Sequence, residues 1–269
     1  MRDTPRALEG ISALLLDMDG VLYNGDRPVD GAADAVERFR REGKKLLFIT
    51  NNSTGTREKY ARKLARMGIR VSARSVITSG YATAVYLREH SPGARIYAVG
   101  GTGLKSELRR AGLRLVSGEE AETATHVVAG LDQKIKYDKI AGGLRALMAG
   151  AEFVATNLDP TYPSERGLLP GAGAIVGALR GCSGREPDVV VGKPSPHIIN
   201  LAMSFLKTNP GETAIIGDRI DTDIEAGRRA GVRTILVLSG ACTVEDLRRT
   251  KNAGASPDFV FGSIGEVMG

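Results

Sequence analysis

Four short clusters of polar residues stand directly behind apolar runs, and each is more polar than the end of a strand requires. Asp17-Met18-Asp19-Gly20 follows Leu14-Leu15-Leu16, and Thr50-Asn51-Asn52-Ser53 follows Leu46-Leu47-Phe48-Ile49. Gly192-Lys193-Pro194 follows Val189-Val190-Val191, and Gly217-Asp218, continuing to Asp223, follows Ala214-Ile215-Ile216. In them Asp17, Asp19, Asp218 and Asp223 supply four carboxylates and Lys193 one ammonium, beside a set of small hydrogen-bonding side chains. Carboxylates at close quarters repel and are costly to ionise together. A divalent cation removes that cost, and hard oxygen donors without His or Cys point to Mg2+ rather than zinc. Taken singly, each cluster has a plain explanation as a turn, a helix cap or a surface charge. All four in this order, each behind a hydrophobic run, are a site.

The elements that must position these residues are legible in the same pattern. The runs are apolar on successive residues, as strands covered on both faces must be. Between them lie amphipathic stretches that end at glycine, as in Phe39 to Gly43 before Leu46 and Ala230-Gly231 before Thr234 to Leu238. Thr56 to Met67 places Tyr60, Leu64 and Met67 on one helical face, and Ser195-Pro196 reads as an N-cap and first turn of a helix through Leu206. This is an α/β chain with a doubly wound, parallel, Rossmann-like core sheet, whose carboxyl-end loops converge on one crevice. A second α/β set, with strands expected at Ile96 to Val99, His126 to Ala129 and Phe153 to Thr156, interrupts it. The expected organisation is a discontinuous core of residues 1–79 and 186–269 with an inserted domain at 80–185.

Composition narrows the function classes. The 269 residues carry 37 Lys and Arg against 31 Asp and Glu, and the excess of +6 is scattered, which argues against a nucleic-acid partner. Aromatics are only 5% and Trp is absent, so there is no platform for stacking bases. No apolar run approaches the ~18 residues of a membrane span, and the opening MRDTPRALEG lacks the apolar core of a signal peptide. Cys182 and Cys242 are far apart, which suits a reducing cytosol. A cytoplasmic protein without a membrane partner is expected. Gly100-Gly101-Thr102-Gly103 lacks the third glycine of a dinucleotide loop and reads as a turn of the inserted domain.

The four clusters, as the segments Leu14 to Leu22, Ile49 to Ser53, Gly192 to Pro194 and Gly217 to Ile224, resemble the four motifs of the haloacid-dehalogenase superfamily. An insertion of this size between the second and third motifs, containing Ala155-Thr156-Asn157-Leu158-Asp159-Pro160-Thr161-Tyr162-Pro163, is similar to the C2-type cap of its type IIA phosphatases, the 4-nitrophenylphosphatase and phosphoglycolate phosphatase group. The resemblance implies a Mg2+-dependent phosphatase of small phosphorylated metabolites. Asp17 would attack phosphorus and carry an aspartyl phosphate, and Asp19 would act as acid and then base. Asp17, the Asp19 carbonyl and Asp218 would hold the metal, with Asp223 orienting the site. Thr50, Asn51, Asn52 and Lys193 would bind the phosphoryl group. Asn157, Asp159 and Tyr162 in the cap would meet the substrate and set specificity. Relatives that cleave pyridoxal phosphate carry His at the position resembling Tyr162, which argues against that substrate. The resemblance also leaves room for a homodimer formed through the cap. Two other readings are a phosphotransferase or mutase of the same superfamily and a non-catalytic phosphate sensor. The short stretch from Leu22 to Gly31 disfavours the first, and retention of Asp17 and Asp19 disfavours the second.

Overall fold

A computed structural model describes residues 7–164, 167–252 and 256–267. Residues 1–6, on which much of the reading of the N-terminal segment rests, and 268–269, the end of the expected core, lie outside the described residues. The chain divides into two units: Met1–Thr50, Ala61–Ile77 and Lys193–Gly269 form the first, and Asn51–Tyr60 with Thr78–Gly192 the second. The crossings thus fall at Thr78 and Lys193, where the sequence pattern suggests residues 80 and 186. The segment Asn51–Tyr60 joins the second unit because its polar groups are satisfied there. The Arg57 backbone N–H donates to Glu107 at 3.1 Å, and Glu58 pairs with Arg110 at 2.6 Å.

The first unit is built on a six-stranded sheet, ordered Phe259–Phe261, Arg233–Val237, Thr213–Gly217, Ala13–Asp17, Lys45–Thr50 and Val76–Thr78. Ala13–Asp17 runs parallel to both neighbours, with Leu14 opposite Ala214 on one side and Leu46 on the other. All five of its residues are buried, which is why the run has no polar alternation. The chain passes from this strand first to one side and later to the other, so the strand order reverses here. The carboxyl ends at such a reversal form the crevice of an open α/β sheet, and they carry Asp17, Thr50 and Asp218. The helix Ala32–Arg41 covers the sheet with Ala32, Ala35, Val36 and Phe39, spaced i, i+3, i+4, i+7, and Gly43 ends the turn at φ 74°. Phe39 is fully buried, and its truncation to Ala would cost about 3–5 kcal/mol.

The second unit has its own five-stranded parallel sheet, ordered Val189–Val190, Glu152–Ala155, His126–Ala129, Arg95–Val99 and Arg114–Val116. Its core packs Val99, Val127, Phe153 and Leu179 together. This sheet corrects one expectation. The run Val189 to Val191 does not end a strand of the first sheet, because Val189 pairs with Val154 and Val190 with Ala155 at the edge of the second. A two-residue, half-buried edge strand carries too little pattern to reveal its partner. The expected N-cap is also displaced. The helix His197–Leu206 is preceded by Pro196 in helical backbone geometry, with no side-chain cap, so Ser195 does not cap it.

Candidate active site

The carboxyl ends of the central strands of the first unit gather the charged residues. Asp17 is the last residue of Ala13–Asp17, and Asp218 follows Thr213–Gly217 directly. Asp223 lies in a π-helical turn, Ile220–Ile224, that leads into the helix Glu225–Ala230. That turn places Asp223 back at the strand end, where its Cβ and carboxylate fill the space a side chain on Gly217 would need, the closest approach being 2.2 Å. One carboxylate oxygen from each of Asp17, Asp218 and Asp223 lies within 4.8 Å of the others.

Lys193 supplies the counter-charge. Its Nζ donates to Asp17 Oδ1 and, at 2.5 Å, to Asp223 Oδ1. All three side chains are at least nine-tenths buried. Burial works against the Lys193 charge, but Asp17 and Asp223 more than offset it and hold its pKa above the ordinary lysine value. The second Asp223 oxygen accepts the Arg219 N–H at 3.1 Å, so both of its oxygens are held within the protein. Burial pushes the Asp17 carboxyl well above the usual carboxylate range, against the pull of Lys193. Asp218 is pushed up to about 7 by burial and by the neighbouring Asp223, while the Ala241 N–H, 2.6 Å from Oδ2, pulls it down. Three buried carboxylates against one ammonium leave a deficit of positive charge. A hard divalent cation fits that deficit and that donor set.

Asp19 stands apart from this cluster in its contacts. Its Oδ1 is buried without a hydrogen-bond partner, and burial raises its pKa to about 6, against the opposing pull of Lys63 and the Gly25 backbone. A carboxyl group that is half protonated near pH 6 can give or take a proton. Lys63 lies 3.9 Å from the Tyr23 ring centre and 3.5 Å from Asp26.

Two supporting residues, Ser239 and Gly240, escape the motif reading. Gly240 approaches Asp218 so closely that a Cβ on it would lie 2.1 Å from Oδ2, and Gly20 does the same at 2.2 Å. Ser239 Oγ donates to the Gly20 carbonyl at 2.7 Å. The available signal was a fifth apolar run, Thr234 to Leu238, followed at once by Ser239-Gly240.

The second unit brings together a different part of the expected set. Asn51 Nδ2 donates to both oxygens of Asp159, at 3.0 and 3.1 Å. The Asn51 carbonyl accepts from Asn157 Nδ2 at 2.7 Å and from Ser79 Oγ at 2.5 Å. Asn52 Oδ1 accepts from the Thr54 N–H at 3.0 Å and from Thr54 Oγ1 at 2.7 Å, closing a turn. Tyr162 lies in the hairpin of Thr161–Ser164 and Gly167–Pro170, where its hydroxyl accepts from Gln133 Nε2 at 2.5 Å. Its hydroxyl is thus engaged outside the Asn51, Asn157 and Asp159 group.

With this geometry established, comparison with known proteins identifies its kind. Residues 14–114 match the haloacid dehalogenase-like hydrolase family, and residues 190–267 match a HAD-hydrolase-like family. The acid sugar phosphatase of Staphylococcus saprophyticus is 38% identical over 261 residues, which cover 97% of this chain and 98% of that one. The chain belongs to the haloacid dehalogenase-like hydrolases. Among solved structures, this hydrolase resembles the p-nitrophenyl phosphatase from Archaeoglobus fulgidus, with a TM-score of 0.90 and 37% identity over 96% of this chain and 98% of that one. It also resembles the glycerol phosphate phosphatase of Mycobacterium tuberculosis solved with calcium, with a TM-score of 0.89 and 33% identity over 97% and 76% of the two chains. Among the described residues of the hydrolase, no helix is long and apolar enough to cross a membrane.

Proposed function

We propose that this hydrolase is a Mg2+-dependent phosphatase of small phosphate monoesters that works through an aspartyl phosphate on Asp17. The observation that carries the reading is the buried Asp17–Lys193–Asp223 chain beside Asp218, at the end of the central strand. Relatives named for acid sugar, p-nitrophenyl and glycerol phosphates support the reaction class.

Asp17 is the nucleophile: a carboxylate oxygen attacks phosphorus as the ester oxygen leaves, and water later cleaves the acyl phosphate. Lys193 opposes the effect of burial on the Asp17 carboxyl and offsets phosphoryl charge, while Asp223 fixes the ammonium. Asp19 donates its proton to the leaving oxygen in the first step and takes one from water in the second. A pKa of about 6 suits both duties. Thr50 and the backbone N–H of Asn51, the next residue in the chain, orient the phosphoryl oxygens. Asp17, the Asp19 carbonyl and Asp218 would hold Mg2+, which when bound neutralises the phosphate and the clustered carboxylates.

On this reading the first unit is the catalytic core, with boundaries near those of the compact unit, and the second is the cap. Tyr162 influences which ester is cleaved, Asn157 and Asp159 hold Asn51 beside Thr50, and the hydrolase works in the cytoplasm. A panel of phosphate monoesters assayed for released phosphate, with Mg2+ and with EDTA, tests the proposal. Turnover that needs Mg2+ and is lost in Asp17→Asn supports it, and undiminished turnover in EDTA or in that variant overturns it.

A further inference from the structure

The second unit holds a cavity of about 180 Å3 whose walls come from the strands Arg95–Val99 and Arg114–Val116 and the helices Thr102–Arg110 and Tyr137–Met148. Three of its lining side chains are cations. Lys105 and Arg109 lie one turn apart on the same helix, and Lys139 comes from the other. Lys139 is paired with the buried carboxylate of Asp132 at 2.5 Å, which also accepts the Lys134 N–H at 2.9 Å. Neither Lys105 nor Arg109 has an ion pair or side-chain hydrogen bond among the described residues. Three cations thus line the cavity, and among the described residues the one ion pair they make is that of Lys139 with Asp132, whose charge also acts on Lys105.

Such an arrangement is unfavourable without a counter-ion. Like charges one helical turn apart repel. Burial, followed by the charge of Lys139, lowers the pKa of half-buried Lys105, so its ammonium is held against cost. Ser117, at the rim, does not use its hydroxyl to cap the turn Gly118–Thr123, which leaves a neutral donor beside the cations. Leu115 and Val116 supply an apolar wall. The volume is well below the roughly 300–1,000 Å3 of pockets for drug-sized molecules, so the occupant is small. An ammonium as a point charge and a guanidinium as a two-pronged donor both suit phosphate oxygens.

We propose that this cavity binds a small dianion of the phosphate class, either inorganic phosphate or a short phosphorylated metabolite. Its lining shares no residue with the carboxylate centre, so the site stands whether or not the phosphatase reading does.

The test is calorimetric titration of the full chain in EDTA, comparing wild type with Lys105→Gln/Arg109→Gln. Phosphate bound at Lys193 is common to both proteins, so their difference reads the cavity alone. The double variant should weaken this binding by about tenfold or more, while Lys105→Arg, which keeps the charge, should retain it. Repeating the titration with glycerol 3-phosphate in an Asp17→Asn background separates the sources. A tighter ester assigns an organic phosphate, and equal affinities assign the free ion. If the double variant lowers the unfolding midpoint, Arg109→Gln alone, at an exposed position, makes the same comparison. Identical isotherms for wild type and the charge-removing variants, with both ligands, would overturn the proposal.

Discussion

Asn51 and Asp159, 108 residues apart in sequence, are joined by a forked hydrogen bond in which one amide nitrogen reaches both carboxylate oxygens, at 3.0 and 3.1 Å. Asn51 follows Thr50, where the phosphoryl group is proposed to bind, so Asp159 acts as a positioning residue for that loop. Removing a charged hydrogen-bond partner costs about 1.5–3 kcal/mol, or roughly ten- to a hundredfold. Asp159→Ala should therefore lower kcat/KM by a similar factor across different esters. Tyr162→Ala, which removes a hydroxyl bonded to Gln133, should instead reorder the substrates. A panel of monoesters measured on both variants checks this; reordering by Asp159→Ala and a uniform loss from Tyr162→Ala would reverse the assignment.

Asp19→Asn should separate substrates by leaving group. Alkyl phosphates need a proton on the departing oxygen, whereas 4-nitrophenyl phosphate needs little help. The loss in kcat is expected at about 10²–10⁴ for the former and clearly less for the latter. Equal losses on both would remove the acid role from Asp19.

Gly240→Ala tests the metal site without changing a carboxylate. The new Cβ would sit 2.1 Å from Asp218 Oδ2, so Asp218 or the Ser239–Ala241 backbone must move. Activity should fall and the Mg2+ concentration needed for half-maximal rate should rise about tenfold or more. An unchanged Mg2+ dependence would mean that Asp218 is not a ligand.

The raised carboxyl pKa values set the pH dependence of stability. A carboxyl group whose folded pKa exceeds its unfolded value binds more protons when folded, so the stability it contributes is lost as pH rises through the folded pKa. For Asp218, raised from 3.8 to about 7, the loss begins at about pH 4 and is nearly complete just above pH 7. Over its last part, from about pH 6 to 8, the chain in EDTA should lose roughly 1 kcal/mol, a fall in the midpoint on the order of 3 °C. Mg2+ should reverse the trend, because it binds the ionised form and displaces the proton. Differential scanning at both pH values, with and without Mg2+, reads the effect. A midpoint in EDTA that rises from pH 6 to 8 would contradict the placement of Asp218.

What could be read from sequence follows from which residues carry a local signal. The run from Ala13 to Asp17 is buried on both faces, so its uninterrupted hydrophobicity identifies a central parallel strand and marks Asp17 as its end. Gly43 and Gly231 take positive φ, as chain reversals after helices require, which made the αβ alternation visible. Sheet membership of Val189–Val190 was not legible, because a short edge strand is defined by its partner and not by its own pattern. The Asn51–Asp159 bond was likewise hidden, since nothing local to either residue names a partner 108 positions away. Gly240 carried a faint signal behind the Thr234 run, but only the close approach of Asp218 explains why a side chain is excluded there.

The most direct test of the central claim is to look for the phosphorylated nucleophile. The hydrolase would be mixed with a slow phosphate monoester and Mg2+, quenched in acid within one turnover, and measured by intact mass and peptide mapping. One added phosphoryl group, labile to hydroxylamine, mapped to the peptide containing Asp17 and absent from Asp17→Asn, is the predicted result. Phosphate release that proceeds with no covalent species on Asp17, and that persists in Asp17→Asn, would contradict the account.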